Sequence, residues 1–399
     1  MRIAIWSSSY FKGAGGAEKI VTDLIRHLNL PGTELLLLGD LAPNHRKESA
    51  FFEPLPPGVE VYQNTFANPL LSSHQPLKFL MTLLRYFRAS VQLAIFFSRK
   101  KVNIMHLHLV NIDVLLLVAL KYLFRYQLVI TFTGMELDLA SAGRLSRLKT
   151  KIALKHADQV TTVSKDIQAK LNQQFSFSNA IHIQNGVDPE YLQRFVGEKP
   201  VSITSGSFIF CGRLHPVKRI SFLIEAFHEC LQAGCRRQLF IVGDGEDMPL
   251  AKSLTKQLGV EDRIIFTGAV PHEQVIQMMH QADCLLLSSA SEGCPIVALE
   301  AMALGKPVIA PAVGGLPEII SHGENGFLFP ANRPDVFKEF ILKIDNDASL
   351  LSAMGLNARA TVLQQYHQNE MLEKYKDIYT SLPGINISRQ VDKDICRKN

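Results

Sequence analysis

Short apolar runs rich in Val, Ile, Leu and Phe alternate with longer stretches of 3.6-residue periodicity along almost the whole chain. That alternation predicts parallel strands joined by crossover helices, an α/β fold. In the first half the strand candidates are RIAIW, ELLLLG, VEVY, NIMHLHL, QLVITF, QVTTV and AIHIQ. Helices are expected between most of them, including Ala17 to Leu28 and a Ser164-capped segment from Lys165 to Leu171. From Asp188 to Ser207, Pro189, Gly197, Pro200 and Gly206 break both periods and read as a linker. A second series follows: SFIFCG, QLFIVG, RIIFTG, CLLLSS, PVIAP and GFLFP. Its first three runs end in Gly, as expected where a strand turns sharply toward a helix at the carboxyl side of a sheet. The pattern predicts two doubly wound, Rossmann-like domains over residues 1–190 and 207–365, joined by a linker at 191–206 and facing across a ligand cleft. A last helix is expected over 366–383, and 384–399 read as a polar tail.

Composition sharpens this picture only in places. With 399 residues, 47% apolar and 20% charged, the chain can bury sizeable cores and is neither disordered nor fibrous. The net charge of +5 does not call for nucleic acid, but it is unevenly shared. Residues 1–199 carry +8 and residues 200–399 carry −3. Six cysteines form no CxxC pair, and several lie in apolar runs, which fits a reducing cytoplasm. MRIAIW reads as a first strand and not as a signal peptide, and the apolar run from Val114 to Leu120 falls far short of the ~20 residues of a bilayer span. No span is therefore expected. From Val61 to Val102 there is no acidic residue, while Lys78, Arg85, Arg88, Arg99, Lys100 and Lys101 sit among apolar side chains. That is a basic amphipathic helix or helix pair. It reads either as a core-packed helix with a solvated basic rim, or as a surface over residues 78–101 that docks on an anionic membrane.

The most informative segment is CLLLSSASEGCPIVALEAMALGKP, Cys284 to Pro307. A buried strand runs into a Ser/Gly-rich turn, Pro295 is expected at a first helical position, and the helix ends at Gly305. Amides of Gly293, Cys294, Ile296 and Val297 would then point from a helix N-terminus, an arrangement suited to phosphate. Glu292 stands in the turn and Glu300 inside the helix, where each could serve a ligand or simply meet solvent. In FIFCGRLHPVKRISFLIEAF, Arg213 follows a strand and Lys218 precedes a helix, so two cations could meet a diphosphate or decorate a loop. IVGDGEDMPL and FTGAVPHEQV supply two more strand-Gly loops. KGAGGAEK is not a GxGxxG fingerprint, and no His/Cys cluster has zinc spacing. Glu136 with Asp138, and Asp345 with Asp347, have the spacing of a metal-holding acidic pair but are expected on loops or helix ends.

In this context the residues resemble glycosyltransferase family 4, retaining enzymes of the GT-B fold. The resemblance rests on KGAGGAEK, MHLH, ADQVTTVSKDI, IQNGVDPEYL, FIFCGRLHPVK, LFIVGDGEDMPL and above all SEGCPIVALEAMALGKPVIAPAVGGLPEII. It implies two Rossmann-like domains, acceptor-binding then donor-binding, with the C-terminal helix crossing back to the first. It implies that Glu300 holds the donor ribose, that amides near Cys294, Pro295 and Ile296 meet the phosphates, and that Arg213 and Lys218 bind the diphosphate. Val270 would lie near the base, Gly243 beside the donor, and Glu292 against the transferred sugar. Gly15 and Gly16 would form the glycine loop of the first domain. Where the family has a His-Gly pair this chain has Thr133 and Gly134, a weaker hydroxyl contact for which His108 is a possible substitute or only a packed residue. The implied activity is metal-independent transfer, without a cofactor, from a nucleotide diphosphate sugar, UDP-linked by preference, to a saccharide or lipid-linked acceptor. The setting would be cell-surface polysaccharide or lipopolysaccharide synthesis in the cytoplasm, peripheral to the inner face of the cytoplasmic membrane. A nucleotide-sugar-binding subunit without activity and a GT-B epimerase are the alternatives.

Overall fold

The computed structural model describes residues 1–7, 16–28, 32–40, 55, 59–64, 76–108, 113–134, 137, 143–197, 203 and 206–385. The chain divides into two compact units. The first comprises Met1–Val163, Ile167–Ile183 and Leu372–Asn399; the second comprises Ser164–Asp166 and Gln184–Met371.

Every expected strand has a counterpart. The first unit holds β1 (Arg2–Ser7), β2 (Glu34–Asp40), β3 (Glu60–Asn64), β4 (Ile104–His108), β5 (Gln127–Phe132), β6 (Gln159–Thr162) and β7 (Ile181–His182) in the parallel order β3-β2-β1-β4-β5-β6-β7. The second holds β8 (Phe208–Cys211), β9 (Leu239–Val242), β10 (Ile264–Gly268), β11 (Cys284–Leu286), β12 (Val308–Pro311) and β13 (Gly326–Phe329) in the order β10-β9-β8-β11-β12-β13. The central strands are buried along nearly their whole length because helices cover both sheet faces, so the apolar/polar alternation disappears and the polar residues they hold, His106 and Thr131 among them, are enclosed. Ile3, Ala4 and Ile5 in β1, and Phe208, Ile209 and Phe210 in β8, are fully buried.

In each sheet the order reverses at one point, between β1 and β4 and between β8 and β11. At such a point the flanking loops run off in opposite directions and leave a crevice at the carboxyl ends of the strands, where doubly wound folds take ligands.

Several helices differ from the expected limits. The first runs Gly16–His27, and the segment starting at Lys165 continues to Phe175. Among the described residues of the acid-free stretch there is one helix, Pro76–Lys100. Its portion from Leu80 to Lys100 is the one helix among the described residues long and apolar enough to cross a bilayer by length and composition, a test that core helices also pass.

A buried polar chain runs through the first unit. His106 of β4 lies 2.5 Å from the Tyr379 hydroxyl and 2.7 Å from Thr131 Oγ1. Thr131 continues to Thr161 at 2.7 Å and to Tyr375 at 3.3 Å. His108, at the end of the same strand, is 1% exposed, stacks on His106 with ring centroids 4.2 Å apart, and has no partner for Nε2. Burial lowers its pKa to about 3 and pushes that of His106 down as well, so both rings stay neutral in the fold.

As pH falls below about 6.5 the unfolded chain takes up these protons first, so stability drops with falling pH until about 3. The melting temperature is expected to decline less steeply between pH 6.5 and 4 in His108→Leu than in the wild type. Equal slopes would contradict a buried neutral His108.

Candidate donor site

The second unit gathers most of the residues singled out above around its β8/β11 reversal. After β8 the chain passes through Gly212 and Arg213 into a single 3₁₀ turn, Pro216–Lys218. Pro216 opens that turn, and the His215 ring accepts the Val217 amide at 3.3 Å to cap it. Arg219 then takes a left-handed conformation (φ 52°, ψ 49°) and the helix Ile220–Gln232 begins. Arg219 Nη1 donates to the Ala331 carbonyl at 2.6 Å, which fixes the bend.

This bend aims Lys218 at the turn that follows β11. Lys218 Nζ lies 2.6 Å from Glu292 Oε1, and Ser289 Oγ donates to the same oxygen at 2.5 Å. Two backbone links clamp the loops together: Ser288 Oγ donates to the Lys218 carbonyl at 2.6 Å, and the Ala290 amide donates to the Val217 carbonyl at 2.7 Å. The Lys218 side chain is 22% exposed and that of Glu292 9%, so the pair is largely desolvated yet reachable. An ammonium has three donors, so Lys218 can hold Glu292 and still meet an anion.

The turn itself is held by backbone. The Gly315 amide donates to the Glu292 carbonyl at 3.1 Å. A Cβ on Gly314 would stand 1.8 Å from the Glu292 oxygen, and one on Gly315 would stand 1.9 Å from the Gly293 oxygen. Only glycines allow the two loops to touch this closely. Asn185, 8% exposed, donates to the Cys294 carbonyl at 2.8 Å from the other side. Both the Glu292 turn and the start of the next helix are thereby fixed in place.

That helix is Ile296–Ala303. Pro295 is its cap residue (φ −70°, ψ 116°) and not its first helical residue, and no side chain caps this end. The first amides of a helix have no intrahelical acceptors, so those around Ile296 and Val297 remain donors with the positive end of the helix dipole behind them. The helix ends at Ala303, before Gly305. Burial pushes the thiol of Cys294 up to about 12 and that of Cys211 well above its ordinary value, so neither is a nucleophile at neutral pH.

Glu300 is 4% exposed, and its Oε1 lies 2.7 Å from His272 Nε2. His272 opens the helix His272–Gln281 just after Val270, which is half-buried in the loop following β10. Gly243 follows β9 directly, where a Cβ would sit 2.0 Å from the Gly212 carbonyl oxygen, so the loops after β8 and β9 also meet backbone to backbone. Arg213 is exposed and makes no ion pair among the described residues.

In the first unit, Gly16 starts the Gly16–His27 helix, while Gly15 lies outside the described residues. Thr133 and Gly134 follow β5 and are half-buried. His108 is enclosed in the interior. Glu136 and Asp138 lie outside the described residues; Asp345 pairs with Arg237 Nε at 2.6 Å, and Asp347 caps the Ala348–Gln365 helix through the Leu350 amide at 2.9 Å. Sequence reasoning did not single out His272, Asn185, Ser289 or the Gly314-Gly315 pair. All of them stood inside quoted segments, but nothing in the local sequence set them apart from their neighbours.

Residues 14–191 match the family described as Glycosyltransferase Family 4, and residues 199–361 match Glycosyl transferases group 1. This chain belongs to the family 4 glycosyltransferases. It is 26% identical to N-acetyl-alpha-D-glucosaminyl L-malate synthase of Bacillus anthracis over 290 residues, 71% of this chain and 75% of that protein. Its fold is GT-B. Sucrose-phosphate synthase from Thermosynechococcus elongatus superposes with a TM-score of 0.76 at 20% identity, over 96% of this chain and 99% of that one. Anabaena HepE in complex with UDP-glucose superposes with a TM-score of 0.74 at 21% identity, over 96% of this chain and 100% of that one.

In this family 4 glycosyltransferase the Gly315→Ala substitution is expected to force the Glu292 turn aside, costing about 1–3 kcal/mol as other overpacked sites do. Thermal melts should show the loss, with UDP affinity at least about tenfold weaker. A Gly143→Ala control, where a Cβ meets nothing within 4 Å, should change neither. Unaltered melting and binding in Gly315→Ala would refute the close-approach account.

Proposed function

We propose that the chain transfers a sugar from a nucleotide diphosphate sugar, a UDP-sugar by preference, to a hydroxyl of a saccharide or lipid-linked acceptor, with retention at the anomeric carbon and without a metal ion. The observation that carries this reading is the Lys218–Glu292 pair at 2.6 Å beside an uncapped helix N-terminus at the β8/β11 reversal. HepE's complexes with UDP and UDP-glucose support the choice of base.

Lys218, the exposed Arg213 and the amides near Cys294 and Ile296 would stabilise the diphosphate, most strongly as it gains charge on leaving. Glu300 would accept the ribose hydroxyls. His272 engages one carboxylate oxygen, which would leave the other for the ribose. Glu292, fixed by Lys218 and Ser289, would hold the donor sugar next to its anomeric carbon. The acceptor oxygen bonds to that carbon as the bond to the phosphate oxygen breaks, and the acceptor proton passes to the departing phosphate. No protein nucleophile is needed for this step. The first unit would take the acceptor, with Thr133, Gly134 and the Gly15-Gly16 loop on its side. Residues 78–101 would dock on an anionic membrane surface, the inner face of the cytoplasmic membrane, consistent with a role in cell-surface polysaccharide or lipopolysaccharide synthesis.

Thr133 in place of the family histidine favours a second reading, a nucleotide-sugar-binding subunit that transfers slowly or not at all. Purified chain, a panel of nucleotide sugars and a thermal-shift screen decide between them, since a ligand of the folded state raises the melting point by mass action. Glu292→Gln and Lys218→Ala are each expected to lower transfer by about a hundredfold or more while keeping a cooperative melt at a lowered temperature, since each leaves a partner charge buried and unpaired. Wild-type turnover in either variant would sink the assignment, and donor binding without any turnover in the wild type would favour the binding subunit.

A further inference from the structure

The Pro76–Lys100 helix does not stand alone. It connects β3 to β4, the Asp113–Phe124 helix connects β4 to β5, and the Arg144–His156 helix connects β5 to β6. These three connections all advance the same way across a parallel sheet, so right-handed crossovers lay the helices side by side on one face. The middle helix packs against both others. Lys121 Nζ donates to the His156 carbonyl at 2.7 Å, and the Tyr122 hydroxyl meets His156 Nδ1 at 2.8 Å.

Each helix buries one stripe on the sheet and shows another to solvent. Leu93 and Phe97, Leu117, and Ala153 face inward and are at most 1% exposed. On the outer side of the first helix, Leu84 is 59% exposed and Phe87 67%, with Val91 and Ile95 continuing the same stripe. The middle helix presents Leu115, Tyr122 and Leu123, and the third presents Leu145 and Leu148. Twelve of the seventeen exposed large hydrophobic side chains among the described residues lie on these three helices. The same three segments carry eleven Lys and Arg side chains against one carboxylate, Asp113. Exposed Arg85, Arg88 and Arg99 flank the first stripe, and exposed Arg144, Lys151 and Lys155 flank the last.

We infer that these three helices form one docking face for an anionic lipid bilayer, extending the membrane reading of residues 78–101, on which this inference rests. Charge selects the occupant. A second copy pressed against the same face would set its exposed cations, Arg85, Arg88, Arg99, Arg144, Lys151 and Lys155 among them, against their own copies, whereas acidic headgroups match the basic rim and the acyl boundary takes the leucines and phenylalanine. Because the first helix is tied to the sheet through Leu93 and Phe97, it lies on the membrane and does not cross it.

The test is co-sedimentation of the full chain with vesicles of phosphatidylcholine alone and with phosphatidylglycerol added, at low and high salt. Three variants join the wild type: Phe87→Asp with Val91→Asp on the first helix, Leu145→Asp with Leu148→Asp on the third, and the charge-only Arg144→Gln with Lys151→Gln. All replaced residues are exposed, and unchanged melting temperatures verify the fold. The wild type should pellet with anionic vesicles at low salt only. The two apolar variants should each lose at least about tenfold in partitioning, and the charge-only variant should lose about threefold or more. If only the first-helix variant loses binding, the three-helix face is wrong while the reading of residues 78–101 stands. If the wild type ignores anionic vesicles, or sedimentation velocity shows dimers that the Leu145→Asp, Leu148→Asp variant abolishes, both fall.

Discussion

The carboxyl end of the second unit's sheet is organised around one largely desolvated ion pair, Lys218 with Glu292. It joins the loop after β8 to the turn after β11 at the place where the sheet order reverses. A charge pair withdrawn from water stabilises little by itself, because desolvation offsets the attraction. Its consequence is positional. It fixes a carboxylate and an ammonium against each other next to a helix start, and other bonds in the neighbourhood support that arrangement: Ser288 and Ser289, the Ala290 amide, the Arg219 bend and the Asn185 bond to Cys294. The cation is thereby held ready for an anion instead of collapsing onto it from a flexible loop, so less ordering remains to be done when a ligand binds.

Glycine provides the second constraint. At Gly243, Gly314 and Gly315 the loops of neighbouring strands approach so closely that any side chain would overlap a carbonyl oxygen. Strand ends, which could otherwise splay, become one surface of backbone amides and carbonyls. Nucleotide recognition by such a surface depends little on side-chain identity. That explains how chains of about 20% identity can share this fold.

Much of this was legible in the sequence. Each of the thirteen strands among the described residues falls in a run that the sequence marked as a strand, most of them rich in Val, Ile, Leu and Phe because both sheet faces are covered, whereas their order, and with it the reversal points, came from the structure. Glu292 and Lys218 stood out because charged residues at the ends of buried strands are rarely there for packing. His272 did not. Its role comes from meeting Glu300 across 28 residues of chain, and nothing local distinguishes it from any other histidine at a helix start. The same holds for Gly314 and Gly315, whose meaning lies in a loop over twenty positions away. Pro295 was placed one position too far into its helix, since a proline fits either side of that boundary. The acid-free stretch announced a basic helix, but the spread of exposed apolar side chains over two further helices became visible only once the crossovers set them side by side.

The central claim is that Lys218 is positioned to bind a diphosphate. Isothermal calorimetry of UDP and of uridine with the wild type and Lys218→Ala tests it directly. The account predicts that UDP binds the wild type at least about tenfold more tightly than uridine, and that most of this margin disappears in Lys218→Ala while uridine affinity stays the same. An equal margin in both proteins would contradict it.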